Sequence, residues 1–233
     1  MQRTFFTSVL AVVTLFTSVA AFAQQPAAPA AGARAGGPGR GRPPLFFKEE
    51  WKQTPQGGEH PVDPAIALSN PNLELKLYGP SAKEFLMTGS AGDENNPTHL
   101  WTGMCTSPCA ATLRHKTSMV DLTGLARIKW NTKMSGFHQV RPLIKLADGT
   151  YLVGDRADGT VADWLWSEIS FADVKWLRVD IANGVTKGTI VNNPDLSKVD
   201  EVGYIDLMPG SGHGQGGWSD VAQIEVYGRP VAR

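Results

Sequence analysis

Three stretches of the chain gather side chains able to bind or act on a ligand. His99, Trp101 and Met104 stand just ahead of Cys105-Thr-Ser-Pro-Cys109. Asp155, Arg156 and Asp158 follow a hairpin pattern, and Gly210-Ser-Gly-His-Gly-Gln-Gly-Gly-Trp218 carries His213 and ends on an aromatic. Binding residues concentrate on loops held by a rigid scaffold. An aromatic that closes a glycine-rich loop can stack on the apolar face of a sugar ring, or fold back as a lid on the core. The candidate ligand-binding residues are therefore Trp101, Arg114, Arg141, Asp155, His213 and Trp218. Asp206, Asp220 and Glu225 offer oxygen donors for a structural Ca2+. Glycoside hydrolysis needs two carboxyls about 5–10 Å apart, and Asp155 with Asp158 or Asp206 with Asp220 are the first pairs to consider. His115, His138 and His213 show no diagnostic metal spacing. There is no nucleophile elbow, zincin motif, phosphate-cradling loop or dinucleotide loop.

Arg114 and Arg141 belong to a wider charge pattern. Alternation that turns Ile128, Trp130, Thr132 and Met134 inward turns Arg127, Lys129 and Lys133 outward. Inward Val140, Ile144 and Leu146 turn out Arg141 and Lys145, while Arg114 and Lys116 share a face. If these strands are neighbours they build a basic sheet face suited to an anionic polysaccharide, since guanidinium pairs bidentately with carboxylate. The competing expectation is a solvated face neutralised by Asp148, Asp155, Asp158, Asp163, Glu168 and Asp173.

The elements that must position these residues come after a leader. Arg3, an apolar run from Phe5 to Val19 and Ala21-Phe22-Ala23 are the three parts of a secretory signal, expected over residues 1–23. Residues 24–44, built of Ala, Pro, Gly and Arg, read as a disordered tether, and 45–233 as one domain. The expected location is periplasmic or secreted, with no transmembrane segment after signal cleavage. In that setting Cys105 and Cys109 are expected to form a disulfide. Charges balance at 22 basic and 22 acidic side chains over the whole chain. Arg3, Arg34, Arg40 and Arg42 lie before Pro43 with no acid among them, so the domain is net acidic and nucleic acid is not an expected partner.

Period-two patterning runs through Leu73–Leu77, Ile128–Met134, Trp176–Ile181 and Ile224–Tyr227. Residues 143–153 read as a hairpin turning on Asp148-Gly149. Further strands are expected near 111–115, 164–169 and 201–208, with single helical turns at 170–175 (capped by Ser170) and 194–198. The fold class is all-β, an antiparallel β-sandwich or jelly roll.

Gly203-Tyr-Ile-Asp-Leu-Met-Pro-Gly, followed by Trp218-Ser-Asp-Val-Ala-Gln-Ile-Glu-Val-Tyr-Gly228, resembles the closing strands of galactose-binding-like and other carbohydrate-binding jelly rolls. Val120–Trp130 is similar to a middle strand of the same group. The chain is also similar to exported bacterial proteins with the glycoside-hydrolase-16-like or 3-keto-disaccharide hydrolase fold, though no active-site residue aligns. The resemblance implies a sandwich and a sugar ligand, not a mechanism. The expected function is an exported carbohydrate-binding protein recognising an acidic glycan. A glycan-active hydrolase or lyase on the same scaffold is the alternative, and an envelope interaction module is the third reading.

Overall fold

The computed structural model describes residues 41–53, 58–207 and 217–233. The expected signal sequence and nearly all of the tether lie outside the described residues, as does His213. The strands run β1 (Leu45–Glu49), β2 (His60–Pro61), β3 (Leu73–Tyr78), β4 (Leu86–Thr88), β5 (His99–Trp101), β6 (Cys109–His115), β7 (Ser118–Asp121) and β8 (Arg127–Ser135). They continue with β9 (Val140–Leu146), β10 (Tyr151–Gly154), β11 (Val161–Ser170), β12 (Trp176–Asp180), β13 (Val185–Val191), β14 (Val199–Asp206), β15 (Trp218–Tyr227) and β16 (Arg229–Ala232).

Two antiparallel sheets form the expected sandwich. A seven-stranded sheet runs β11-β8-β15-β5-β4-β2, with β1 also pairing β15. A nine-stranded sheet runs β13-β12-β10-β9-β14-β6-β3, with β7 and β16 attached beside β14. Period-two strands make this arrangement by turning one apolar face to the partner sheet. Ile128, Trp130, Thr132 and Met134 are buried as the pattern requires. Ile128, Trp130 and Met134 meet Leu113, Ile144, Leu152, Val202 and Tyr204 of the other sheet in one core. The Trp130 indole N–H is satisfied by Asp158, which also accepts from Ser167.

Several local expectations are refined. The β9–β10 turn is one residue longer than Asp-Gly alone: the Leu146 N–H bonds the Thr150 carbonyl at 2.9 Å, around Ala147-Asp148-Gly149. Gly149 takes φ +87°, the left-handed conformation that closes three-residue hairpins. Residues 171–173 make a 3-10 turn without a side-chain cap from Ser170, and 194–198 form no helix. Strand β1 and its carboxylate were not legible. Glu49 is fully buried and accepts from the backbone N–H groups of Trp51, Ser69 and Asn70 and from the Ser69 hydroxyl. It ties the entry strand to the 69–70 turn and supports Trp51 at a positive φ of 53°.

The expected basic face does not form as one surface. β8 pairs with β11 and β15, whereas β6 and β9 flank β14 in the other sheet. Arg127, Lys129 and Lys133 therefore face away from the core on one side of the molecule, and Arg114, Arg141 and Lys145 on the other. Among the described residues no helix is long and apolar enough to cross a membrane.

Candidate functional site

The six sequence candidates do not converge. Trp101 (β5) and Trp218 (β15) lie on the outer face of the seven-stranded sheet, while Arg114 (β6) and Arg141 (β9) lie on the outer face of the nine-stranded sheet. Asp155 is a loop-building residue: its Oδ1 accepts the Lys175 N–H at 2.8 Å.

The three proposed cation ligands are also apart. Among the described residues no three His, Cys, Asp or Glu side chains assemble as a metal site. Asp206 points between the sheets, where its Oδ2 is 2.5 Å from His138 Nδ1 and accepts from the Ser219 hydroxyl at 3.1 Å. Ser219 in turn meets Thr102 Oγ1 at 2.7 Å, and all four side chains are buried. Neighbouring strand residues face opposite ways, so Asp220 turns outward where Ser219 turns in. Glu225 lies five residues along β15, roughly 16 Å at strand rise, and accepts from the Tyr227 hydroxyl.

The expected disulfide is absent: Cys105 and Cys109 are buried free thiols. Cys109 is pinned opposite Asp206 at the start of β6. Cys105 is held in a turn by its N–H to the Thr102 carbonyl at 2.8 Å, with its Sγ 3.8 Å from the Ser81 carbonyl oxygen. Burial pushes the Cys109 thiol well up, and its hydrogen bond with Cys105 adds to that.

Asp220 is instead the centre of an aromatic cluster. It pairs directly with Lys133 on one side and Trp101 on the other. His99, two residues before Trp101, brings Nε2 to 3.7 Å from Asp220 Oδ2, and both side chains are buried. The Trp164 ring packs edge-on against His99 at 5.0 Å, fixed by its own indole N–H to the Asn95 carbonyl at 3.1 Å. Trp101 lies over Gly103 so closely that a Cβ there would fall 2.1 Å from the indole. Glycine at 103 is what lets this ring fold down.

The electrostatics of the cluster invert the usual charges. Burial pushes the Asp220 carboxyl up to about 8, against the opposing pull of the Lys133 ammonium and of a hydrogen bond with the Trp218 side chain. Burial brings His99 down to about 4, reinforced by Lys133 and resisted by the Pro97 carbonyl. That carbonyl lies 2.7 Å from His99 Nδ1, which places the imidazole proton on Nδ1 and leaves the Nε2 lone pair toward Asp220. At neutral pH the pair is a protonated acid beside a neutral imidazole, so the short His–Asp separation is not an ion pair.

Five buried side-chain polar atoms lack a partner among the described residues, and three of them are here: Asp220 Oδ1, Thr98 Oγ1 and Asn131 Oδ1. Thr98 precedes His99, and Asn131 is two residues from Lys133 on the same face of β8. Both line an adjoining cleft of about 350 Å³ with Trp51 and Gln223. Buried polar groups are normally satisfied, so such a grouping calls for ordered water or a ligand.

The opposite face is organised differently. Glu201, only 2% exposed, accepts from Tyr78 at 3.0 Å, Thr112 at 2.6 Å and Lys145 at 3.0 Å. Tyr151 donates to Tyr78 at 2.9 Å. Arg114 is paired with Asp200 and Glu74. Beneath them lies a second apolar cluster of Ala110, Leu143, Val153, Val179 and Ile205. Of the basic residues expected there, Arg114 and Lys145 are neutralised in place.

Along the sequence His99 stands beside Trp101 but is not among the six ligand-binding candidates, Lys133 belongs only to the basic face, Trp164 is passed over as a site residue, and Asp220 reads as a cation ligand or half of a carboxylate pair. Alternation alone puts Trp218 beside Asp220 on one face. The pairing of β15 with β5, which adds Trp101 and His99, leaves no local signature.

No family model matches the chain, and no curated protein matches it. Several solved structures are similar. One is a family 11 carbohydrate-binding module from Clostridium thermocellum in complex with a β-1,3-1,4-mixed-linked tetrasaccharide, 15% identical, covering 74% of this chain and 96% of that one, with a TM-score of 0.41. An exo-β-agarase is 12% identical over 81% of this chain and 25% of its own, with a TM-score of 0.40. PfGH50B is 8% identical over 68% of this chain and 23% of its own, with a TM-score of 0.39.

Proposed function

We propose that this is an exported protein that binds a glycan at the tryptophan-lined end of the seven-stranded sheet. The reading rests on one observation: Trp101, Trp164 and Trp218 surround a buried acid whose Oδ1 has no partner among the described residues. Aromatic faces cover the apolar faces of sugar rings, and a protonated carboxyl with a neutral imidazole supplies one donor and one acceptor for ring hydroxyls. The acidic glycan expected from the basic strands is not the ligand proposed for this face: Arg127 is paired with Glu168, Lys129 lies over the Trp166 ring and Lys133 stands opposite Asp220, while Arg114 and Lys145 are on the other sheet and already paired. The ligand proposed here is a neutral glycan.

Glycan-array screening followed by calorimetry of the purified protein tests this. Trp218→Ala and Trp101→Ala are expected to weaken binding of the best neutral glycan tenfold or more. Absence of binding to every neutral glycan, or unchanged affinity in both variants, refutes the proposal. Asp220 also supports a second reading as a hydrolase or lyase, since a carboxyl held protonated at neutral pH is what a proton donor requires. Release of new reducing ends from a polysaccharide, lost in Asp220→Asn, would establish that reading.

A further inference from the structure

Beneath the aromatic cluster, the ladder that joins β5 to β15 is short. It is closed by two residue pairs, Asp220 with Trp101 and Val221 with Leu100. The next pair in the same register is Thr102 with Ser219, and it is closed differently. The Thr102 N–H donates to the Ser219 carbonyl at 3.1 Å, as an antiparallel rung requires. The return bond does not go to the Thr102 carbonyl, which accepts the Cys105 N–H at 2.8 Å and so closes a turn. Thr102 Oγ1 takes its place and accepts the Ser219 N–H at 2.9 Å. A side-chain hydroxyl completes a backbone rung at the point where β5 leaves the sheet.

From that hydroxyl the hydrogen bonds run in one direction. Ser219 Oγ donates to Asp206 Oδ2 at 3.1 Å, which leaves Ser219 Oγ to accept. The Thr102 proton goes to it at 2.7 Å, in preference to the Ser219 carbonyl at 3.1 Å. Asp206 belongs to β14 of the other sheet, and its Oδ2 also meets His138 Nδ1 at 2.5 Å. The His138 ring packs beneath Gly217, where a Cβ would fall 2.7 Å from Cδ2. Thr102, Ser219, Asp206 and His138 are all buried. Side chains alternate along a strand, so Ser219 points inward between the outward Trp218 and Asp220, and Thr102 points inward next to Trp101. The interior chain holds the backbone directly beneath these three residues: Gly217 and Ser219 fix Trp218 from both sides, and Thr102 fixes Trp101 against Asp220. Apolar side chains would fill this interior with a smaller desolvation cost. A satisfied polar chain of one direction instead specifies a single arrangement.

We infer that Thr102, Ser219, Asp206 and His138 are positioning residues for the tryptophan-lined site, with the Thr102 hydroxyl setting the placement of Trp101 against Trp218 and Asp220. The inference rests on the glycan-binding reading of that face. None of the four touches the ligand; they act through the backbone that carries the rings.

The test compares Thr102→Val, which keeps the shape and loses the hydroxyl, with Thr102→Ser, which keeps the hydroxyl. Calorimetry of the whole protein with its best neutral glycan, well below the Tm of each variant, is expected to show binding weakened about fivefold or more in Thr102→Val, the size of one aromatic contact. Thr102→Ser is expected to restore it. A merely structural role would lower Tm and leave affinity unchanged. Ser219→Ala keeps the Ser219 N–H on Thr102 but cuts the link to Asp206, and it carries the same comparison if Thr102→Val does not fold. Full affinity in the folded variant, or an equal loss in Thr102→Ser, would overturn the inference. Nuclear magnetic resonance of the unliganded protein gives a readout that needs no glycan. The indole N–H resonances of Trp101 and Trp218 are expected to shift in Thr102→Val or Ser219→Ala, while those of Trp130 and Trp176 stay in place. A parent protein that binds no neutral glycan refutes the reading of the outer face; unshifted Trp101 and Trp218 indoles overturn the positioning role separately.

Discussion

The two outer faces of the sandwich each bury a carboxylate, and they treat it in opposite ways. Glu201 has Tyr78, Thr112 and Lys145 around its two oxygens. Asp220 is comparably buried, yet Oδ1 has no donor among the described residues and the His99 imidazole stands 3.7 Å from Oδ2. A saturated polar network specifies structure, because every member loses a partner if any is removed. An unsaturated one pays desolvation without return and is retained where a ligand or a proton completes it. By this criterion Glu201 is part of the scaffold and Asp220 is part of the site.

The comparison breaks first at Glu201. Glu201→Ala removes the buried acceptor of two hydroxyls and leaves Lys145 with Asp200 alone at 3.5 Å, and is expected to cost ~3 kcal/mol, a fall in Tm of roughly 6–12 °C by calorimetry. Neutral-glycan binding by the folded fraction should be unchanged. A loss near zero would mean that the network is not structural.

At Asp220 the expected effect depends on pH. Its carboxyl is raised from 3.8 to about 8 in the folded protein, so folding favours the protonated form. The associated stability is fully present below pH 3.8 and is lost as pH rises to about 8. Asp220→Asn removes that dependence. Its Tm should gain on the parent from pH 4 to 8 and hold a constant lead above pH 8. A difference flat across this range would place Asp220 in water.

His99 tests the same pair from the other side. Its value is depressed from 6.5 to about 4, so its contribution is present above pH 6.5 and lost as pH falls toward 4. His99→Gln should make the acid limb of stability shallower between those values, and retention of the full slope would locate the titration elsewhere.

Gly103→Ala is expected to displace the Trp101 ring and weaken glycan binding about fivefold (about 1 kcal/mol), the size of one aromatic contact. Unaltered binding would remove Trp101 from the site. The smallest effect belongs to Lys129, whose ammonium lies 4.5 Å from the Trp166 ring centroid. Lys129→Ala should cost ~0.5–1 kcal/mol of stability and leave binding intact.

Some of this arrangement could be read along the chain. Alternation from Ile128 to Met134 assigned the core side of β8 correctly because side-chain direction in a strand has period two. The turn at Asp148-Gly149 was legible because the left-handed region favours glycine. The same logic put Trp218 and Asp220 on one face. It could not show that Arg127, Lys129 and Lys133 lie on one sheet while Arg114, Arg141 and Lys145 lie on the other, since the chain changes sheets between β7 and β8 and again between β8 and β9. Nor could it separate a bridged Cys105 and Cys109 from two buried thiols, because spacing does not report how the turn from Thr102 to Cys109 is held.

By itself, then, the sequence determined an all-β fold, the inward face of its clearest strands and the turn that closes one hairpin. These are consequences of local stereochemistry, decided within a few residues. The tertiary structure alone decided which strands are neighbours, and with that which charges are spent on each other. Glu201 meets Tyr78 from 123 positions away, and Asp220 meets His99 across two strands. Burial and partnership at such distances set whether a carboxylate is saturated or left wanting, and no stretch of adjacent residues carries that information.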